Sequence, residues 1–228
     1  MTVRALTVDD VGWAVRVLAE RRDALRPFAP VYWRQAADSK RQHADFMAYV
    51  LGDGGGFGFR SDDGLMVATP ARVGWTVDDA WVPPDTWDSD GLDLWRATTS
   101  RIAGEQVRFV CPVPEAERRE FALERGLDLA TSWWHLDVTA VSPGSGVPSL
   151  DRADVRLVDA PPIYDPGGPI TFVTAVTDHA ALVAAPGEAR LCGSPLVVVD
   201  QPAADEALAR ALDEGGYRRH CDFLDGTA

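Results

Sequence analysis

The feature that most constrains this chain is an internal echo. Residues 107–138 read as a strand, Pro112, an acidic helix start, Gly126 and a second strand. Residues 196–224 repeat that order with Pro202, an acidic helix start and Gly216. Both the proline and the glycine recur at an offset of 90. Strand–helix–strand units punctuated by proline and glycine are common, so the layout alone admits coincidence. Two markers at one offset favour a duplicated half-module, with 155–228 a shortened relative of what precedes it.

The rest of the chain reads as alternating elements. Val3 to Leu6 is a short strand. Thr7 and Asp10 then form a capping pattern ahead of a helix to Arg22, with Val11, Ala14, Val15 and Leu18 on its apolar face. An aromatic, proline-containing stretch (Phe28, Tyr32, Trp33) separates it from a helix over 34–51. Phe57–Arg60, Gly64–Thr69 and Val73–Val82 are three β-rich runs broken by turn residues, which predicts an antiparallel meander. A helix starting at 88–90 runs to Ala103, and the 107–138 repeat follows. Residues 141–153 are the best linker. Strands at 155–158, 170–176 and 196–199, helices at 178–191 and 202–214, and a strand at 217–224 complete the chain. The expected division is 1–140, a linker at 141–153, and 154–228.

Charge and cysteine usage exclude several functions. The net charge is -13, and the first 48 residues carry eight bases against six acids, so the acid excess lies in the remainder. A nucleic-acid partner needs a basic surface and is not expected. No apolar run approaches membrane-spanning length and no leader-like segment opens the chain, which predicts no membrane partner and a cytoplasmic location. Cys111, Cys192 and Cys221 are scattered, so neither a disulfide framework nor a metal site is predicted.

The order strand, helix, helix, meander, helix, strand, helix, strand over 1–139 resembles the GNAT acetyltransferases. Glu124-Arg125-Gly126-Leu127 resembles the turn before that family's sixth strand, and Gly215-Gly216-Tyr217-Arg218-Arg219 is closer still. The resemblance implies an α/β (α+β, mixed-sheet) acyl-CoA N-acyltransferase fold followed by a smaller GNAT-like half-module. It implies acetyl-CoA as cofactor and the amine of a small molecule or peptide as acceptor. In the family, strands that splay after the fourth strand admit the cofactor, and a glycine-rich loop cradles its pyrophosphate. Residues Trp81, Val82, Ser89, Asp90, Gly91 and Leu92 fall at those positions, and Asp79, with Asp78, falls where an acid deprotonates the amine. A homodimer is compatible with all of this.

The loop itself departs from the pattern. Only Gly91 matches, and Thr76 to Leu94 holds six aspartates (78, 79, 85, 88, 90, 93) and no base. At an effective dielectric of about 20, a carboxylate ~6 Å from a phosphate costs about 2–3 kcal/mol before screening. Ala122 and Leu212 stand where the family often carries a tyrosine acid. The second function class is therefore a GNAT-shaped protein that does not catalyse and binds a cationic ligand or a protein partner. Other candidates are weaker. His135 and Asp137 share one strand face, adjacent His220 and Cys221 point to opposite faces, and the tryptophans, with Phe28, Tyr32 and Trp33, suit core packing or an acceptor pocket.

Overall fold

The computed structural model describes residues 2–138, 153–177 and 179–228. Of the expected linker, all but Ala153 lies outside the described residues. The chain forms two compact units that interleave along the sequence. The first comprises Met1–Ala24, Asp38–Leu129 and Asp222–Ala228; the second comprises Leu25–Ala37 and Ala130–Cys221.

In the first unit, β1 (Arg4–Ala5), β2 (Phe57–Arg60), β3 (Leu65–Pro70) and β4 (Trp75–Trp81) pair antiparallel in that order, as the meander pattern predicts. β5 (Gln106–Pro112) joins β4 in parallel after the crossover helix α3 (Leu92–Arg101). The run Leu65–Ala68 is buried at every residue because helices cover both faces of β3. On one face Leu65 and Val67 meet Ala14, Val15 and Leu18 of α1 (Val11–Leu25) and Met47 and Val50 of α2 (Ser39–Leu51). On the other, Met66 and Ala68 share a core with Trp95 of α3 and Phe121 of α4 (Ala116–Glu124).

The second unit contains α5 (Ala180–Leu191), α6 (Glu206–Glu214), β7 (Asp154–Val158), β8 (Ile170–Thr174) and β9 (Leu196–Pro202). It also takes most of β6 (Asp128–Asp137) and the start of β10 (Arg218–Thr227). β7 pairs antiparallel with β8, β8 runs parallel to β9, and β9 pairs antiparallel with β6.

The echo is borne out at the level of single residues. β5 and β9, α4 and α6, and β6 and β10 each begin and end 90 residues apart. The turns between helix and strand match bond for bond. Gly126 N–H donates to Leu123 O and Leu127 N–H to Ala122 O, while Gly216 N–H donates to Asp213 O and Tyr217 N–H to Leu212 O. Gly126 and Gly216 sit at φ of 78° and 77°, the left-handed region that ends a helix without a Cβ penalty.

Several expected boundaries move, and three do so for an identifiable local reason. α2 begins at Ser39 rather than 34, because Gln35 bridges Tyr164 and Ala36 N–H donates to Ile163 O. α3 begins at Leu92, after a tight 3-10 turn at Pro84–Thr86 and a π turn at Trp87–Gly91. Pro202 closes β9 rather than opening α6, since it still faces Thr131 of β6 and has no N–H to extend the ladder.

Nothing lies within 4 Å of a Cβ built on either turn glycine, so the cost of a side chain there is the backbone alone. Gly126→Ala and Gly216→Ala should therefore each destabilise by about 1 kcal/mol in urea titration. Unchanged midpoints would show that the turns tolerate other conformations.

Candidate functional site

In the first unit β4 and β5 pair only at Trp75 with Val107, Thr76 with Arg108 and Val77 with Phe109. Both strands continue beyond that point, to Trp81 and Pro112. β4 stays paired with β3 but carries an extra residue. Met66 faces Ala80 and Ala68 faces Val77, so Asp78 and Asp79 together oppose Val67. A bulge of this kind bends a strand and re-aims its side chains. The two predicted acids thus lie where β4 leaves β5.

The polar atoms of β4 beyond that point are engaged from α4. Arg118, with 0% of its surface exposed, donates from Nη1 to Ala80 O (2.6 Å) and from Nη2 to Asp78 O (2.8 Å). Its guanidinium carbon lies 4.9 Å from the Phe109 ring centroid and 6.0 Å from that of Trp87, within cation–π range. The compensating charge is Glu115, 3.4 Å from Nη1. Glu115 also accepts two bonds from Arg21 of α1, at 2.5 and 2.8 Å. Burial alone would raise the Glu115 carboxyl; Arg21 and Arg118 outweigh it and hold it below the usual carboxylate range.

The first unit's other predicted acid is tied elsewhere. Asp79 accepts from His43 Nε2 (2.9 Å), and His43 Nδ1 lies 3.0 Å from Arg22 Nη1. A guanidinium can only donate, so Nδ1 accepts and Nε2 carries the proton given to Asp79. Burial pushes Asp79 up, but the His43 bond and the charges of Arg22 and Arg21 prevail and lower it. Asp79 is consequently a committed anion of weak basicity. Asp78 is exposed.

The predicted cofactor-loop residues are brought together at the entry to α3, with Trp81 half-buried and Val82 buried just before it. Ser89 is exposed and bonds back to Thr86 O, Asp90 and Leu92 are half-buried, and Leu92 N–H is spent on Ser89 O. Gly91 is buried beneath an indole: a Cβ there would come within 2.7 Å of Trp87 Cε3. Trp87 in turn packs 5.2 Å from Phe121, so it is a core residue. Acidic side chains, a ring over the one matching glycine, and a guanidinium on the free strand carbonyls do not fit the pyrophosphate or acyl arm of acetyl-CoA.

Arg118 and His43 escaped sequence reasoning. A signal existed for Arg118, which sits at i, i+3 and i+4 with the buried Phe121 and Ala122, an apolar stripe that should not hold a charge. The second unit shows a different arrangement at the matching positions. At the offset of 90, Leu208 replaces Arg118, and Asp205 replaces Glu115. Asp205 caps α6 by accepting Leu208 N–H at 2.9 Å, whereas Glu115 makes no cap and serves the arginines.

The second unit has a buried imidazole pair that the sequence did not join. His135 stands near His220, ring centroids 5.1 Å apart and nearly perpendicular, with Tyr32 4.1 Å and Trp133 6.3 Å from His220. Neither imidazole makes a well-aligned hydrogen bond among the described residues, and backbone contact at Arg218 and Trp133 offsets only part of their burial. Burial, with Arg218 adding, lowers His135 from 6.5 to about 4; burial and then His135 hold His220 well below 6.5. Tyr32 and Trp33 therefore pack against the second unit's core, while Phe28 is exposed.

Because both imidazoles are neutral in the fold but titrate near 6.5 when unfolded, the pair's contribution is complete above pH 6.5. It is lost as pH falls from 6.5 toward about 4, at up to ~2.7 kcal/mol per pH unit for two protons. His135→Gln should roughly halve that slope in urea melts, and a flat profile between pH 7 and 5 would refute the assignment. Glu115→Ala, which removes the carboxylate shared by two buried arginines, should cost about 3 kcal/mol at pH 7. A loss below 1 kcal/mol would show that other groups carry their charge. Cys192 is exposed, Cys111 and Cys221 are buried, and burial pushes the Cys111 thiol up to about 12. One thiol per native chain should react with an aromatic disulfide reagent.

No family model matches the chain. Among curated proteins it is 33% identical over 72 residues to an ATP-dependent lipid A-core flippase of Shewanella frigidimarina. That stretch is 32% of this chain and spans only 12% of the flippase's length. Among the described residues no helix is long and apolar enough to cross a membrane. Solved structures match over nearly the whole chain. A GCN5-related N-acetyltransferase from Sphaerobacter thermophilus is similar at a TM-score of 0.56 and 13% identity, covering 99% of this chain and 95% of that one. A tandem GNAT protein from the clavulanic acid biosynthesis pathway, solved without acetyl-CoA, gives 0.52 and 12%, covering 99% and 98%. The chain therefore has the GNAT fold, with one strand–helix–strand unit occurring twice at an offset of 90.

Proposed function

We propose that the protein works by binding a cationic ligand, and that its first unit does not transfer acetyl groups. The observation that carries this reading is the sign of the charge around the entry to α3. Asp85 and Asp88 are exposed there and no base occurs between Thr76 and Leu94, while the guanidiniums of Arg118 and Arg21 that reach β4 are balanced by Glu115. The same field that repels a pyrophosphate attracts an organic ammonium. Asp79, held as a weakly basic anion by His43, suits a counter-ion better than a general base.

One observation favours a second reading, an N-acetyltransferase that takes acetyl-CoA in its second unit and acetylates the amine of a small molecule or peptide. Leu208, not an arginine, stands there at the position equivalent to Arg118. The two readings separate in a calorimetric titration at low salt. The binding reading expects no heat with millimolar acetyl-CoA and a salt-sensitive isotherm with spermidine, weakened about fivefold by Asp85→Asn with Asp88→Asn. Micromolar acetyl-CoA binding that Leu208→Arg abolishes would establish the second reading instead.

A further inference from the structure

We propose that the gap between β4 and β5 is a guanidinium site, and that Arg118 is its resident occupant. This inference rests on the reading of the first unit as one that takes no acetyl-CoA, and it names what stands in the cofactor's place. The gap begins where the strands stop pairing after Val77 and Phe109. Two of the β4 carbonyls past that point, Asp78 O and Ala80 O, are spent on one planar fork. Two carbonyls of one strand suit the two terminal nitrogens of a planar guanidinium fork, which a lysine's single ammonium does not reproduce. The rings of Phe109 and Trp87 and the carboxylate of Glu115 complete the surroundings.

The site is built, and not merely filled by a passing side chain. Glu115 makes no cap, unlike Asp205 in the repeat, and its carboxylate is held by Arg21. Cys111, whose Sγ donates to Arg118 O at 3.9 Å, packs α4 against the end of β5. Any chain entering between the strands would have to evict a charge with no exposed surface from every one of these partners.

Removing the side chain should leave a cavity specific for its head group. Arg118→Ala should lower Tm by about 10 °C. Millimolar methylguanidine should recover at least half of that loss, and methylammonium none. Equal recovery by both cations, or by neither, would overturn the proposal. Should the alanine variant fail to fold, Arg118→Lys, which keeps the charge without the fork, should melt well below the native protein; an unchanged Tm would refute the site. In the native chain, phenylglyoxal should modify the exposed Arg41 and Arg156 and leave Arg118 intact, with or without acetyl-CoA. Acetyl-CoA binding that leaves Arg118 protected would defeat the proposed function while sparing this site. Binding that exposes Arg118 to the reagent would defeat both.

Discussion

A guanidinium sealed from water and surrounded by strand carbonyls, aromatic faces and one carboxylate fixes the geometry of everything near it. Arg118 has 0% exposure, so each of its bonds must be made inside the protein or be lost outright. Its hold on Asp78 O and Ala80 O sets the course of β4 after the bulge, and that course decides where Asp79 meets His43. Glu115 carries the balancing charge and is itself fixed by Arg21. The helices α1 and α4 thus meet the separated strands through one connected set of charges. Both terminal nitrogens of Arg118 are bonded while its Nε finds no partner among the described residues, so the set is held by its guanidinium tip and its charges.

The duplication gives an internal control on this interpretation. Where Arg118 and Glu115 stand in the first unit, Leu208 and Asp205 stand in the second. There the leucine joins Leu182, Val199 and Leu212 in an ordinary core, and the aspartate caps its helix. Strand, helix and turn keep the same boundaries in both copies, so the fold does not require the arginine. Its presence changes what the separation between β4 and β5 can admit. Neighbours at 12–13% identity share the architecture, and likeness at that level speaks to the fold alone.

Much of the architecture was legible because local signals agreed with one another. Pro112, Gly126, Pro202 and Gly216 marked the repeat, and their spacing survives to the residue in the folded chain. The meander and the buried face of α1 followed from period-2 and period-3.6 patterns. The departures came where a distant partner overrode local preference: Ala36 bonded to Ile163 instead of starting α2, and Pro202 remained opposite Thr131. At the site, sequence could place Asp78, Asp79 and Gly91 on one edge of the fold. It could not foresee that Trp87 would cover Gly91, or that His43, 36 residues away, would claim Asp79. Pairings of that kind depend on tertiary contact, and no local pattern encodes them.

The most direct test is a crystal structure of the full chain grown with millimolar acetyl-CoA. The account predicts guanidinium density between the carbonyls of Asp78 and Ala80, the Trp87 ring over Gly91, and no cofactor density in the first unit. A pantetheine arm lying along β4, with Arg118 swung out of the gap, would contradict it.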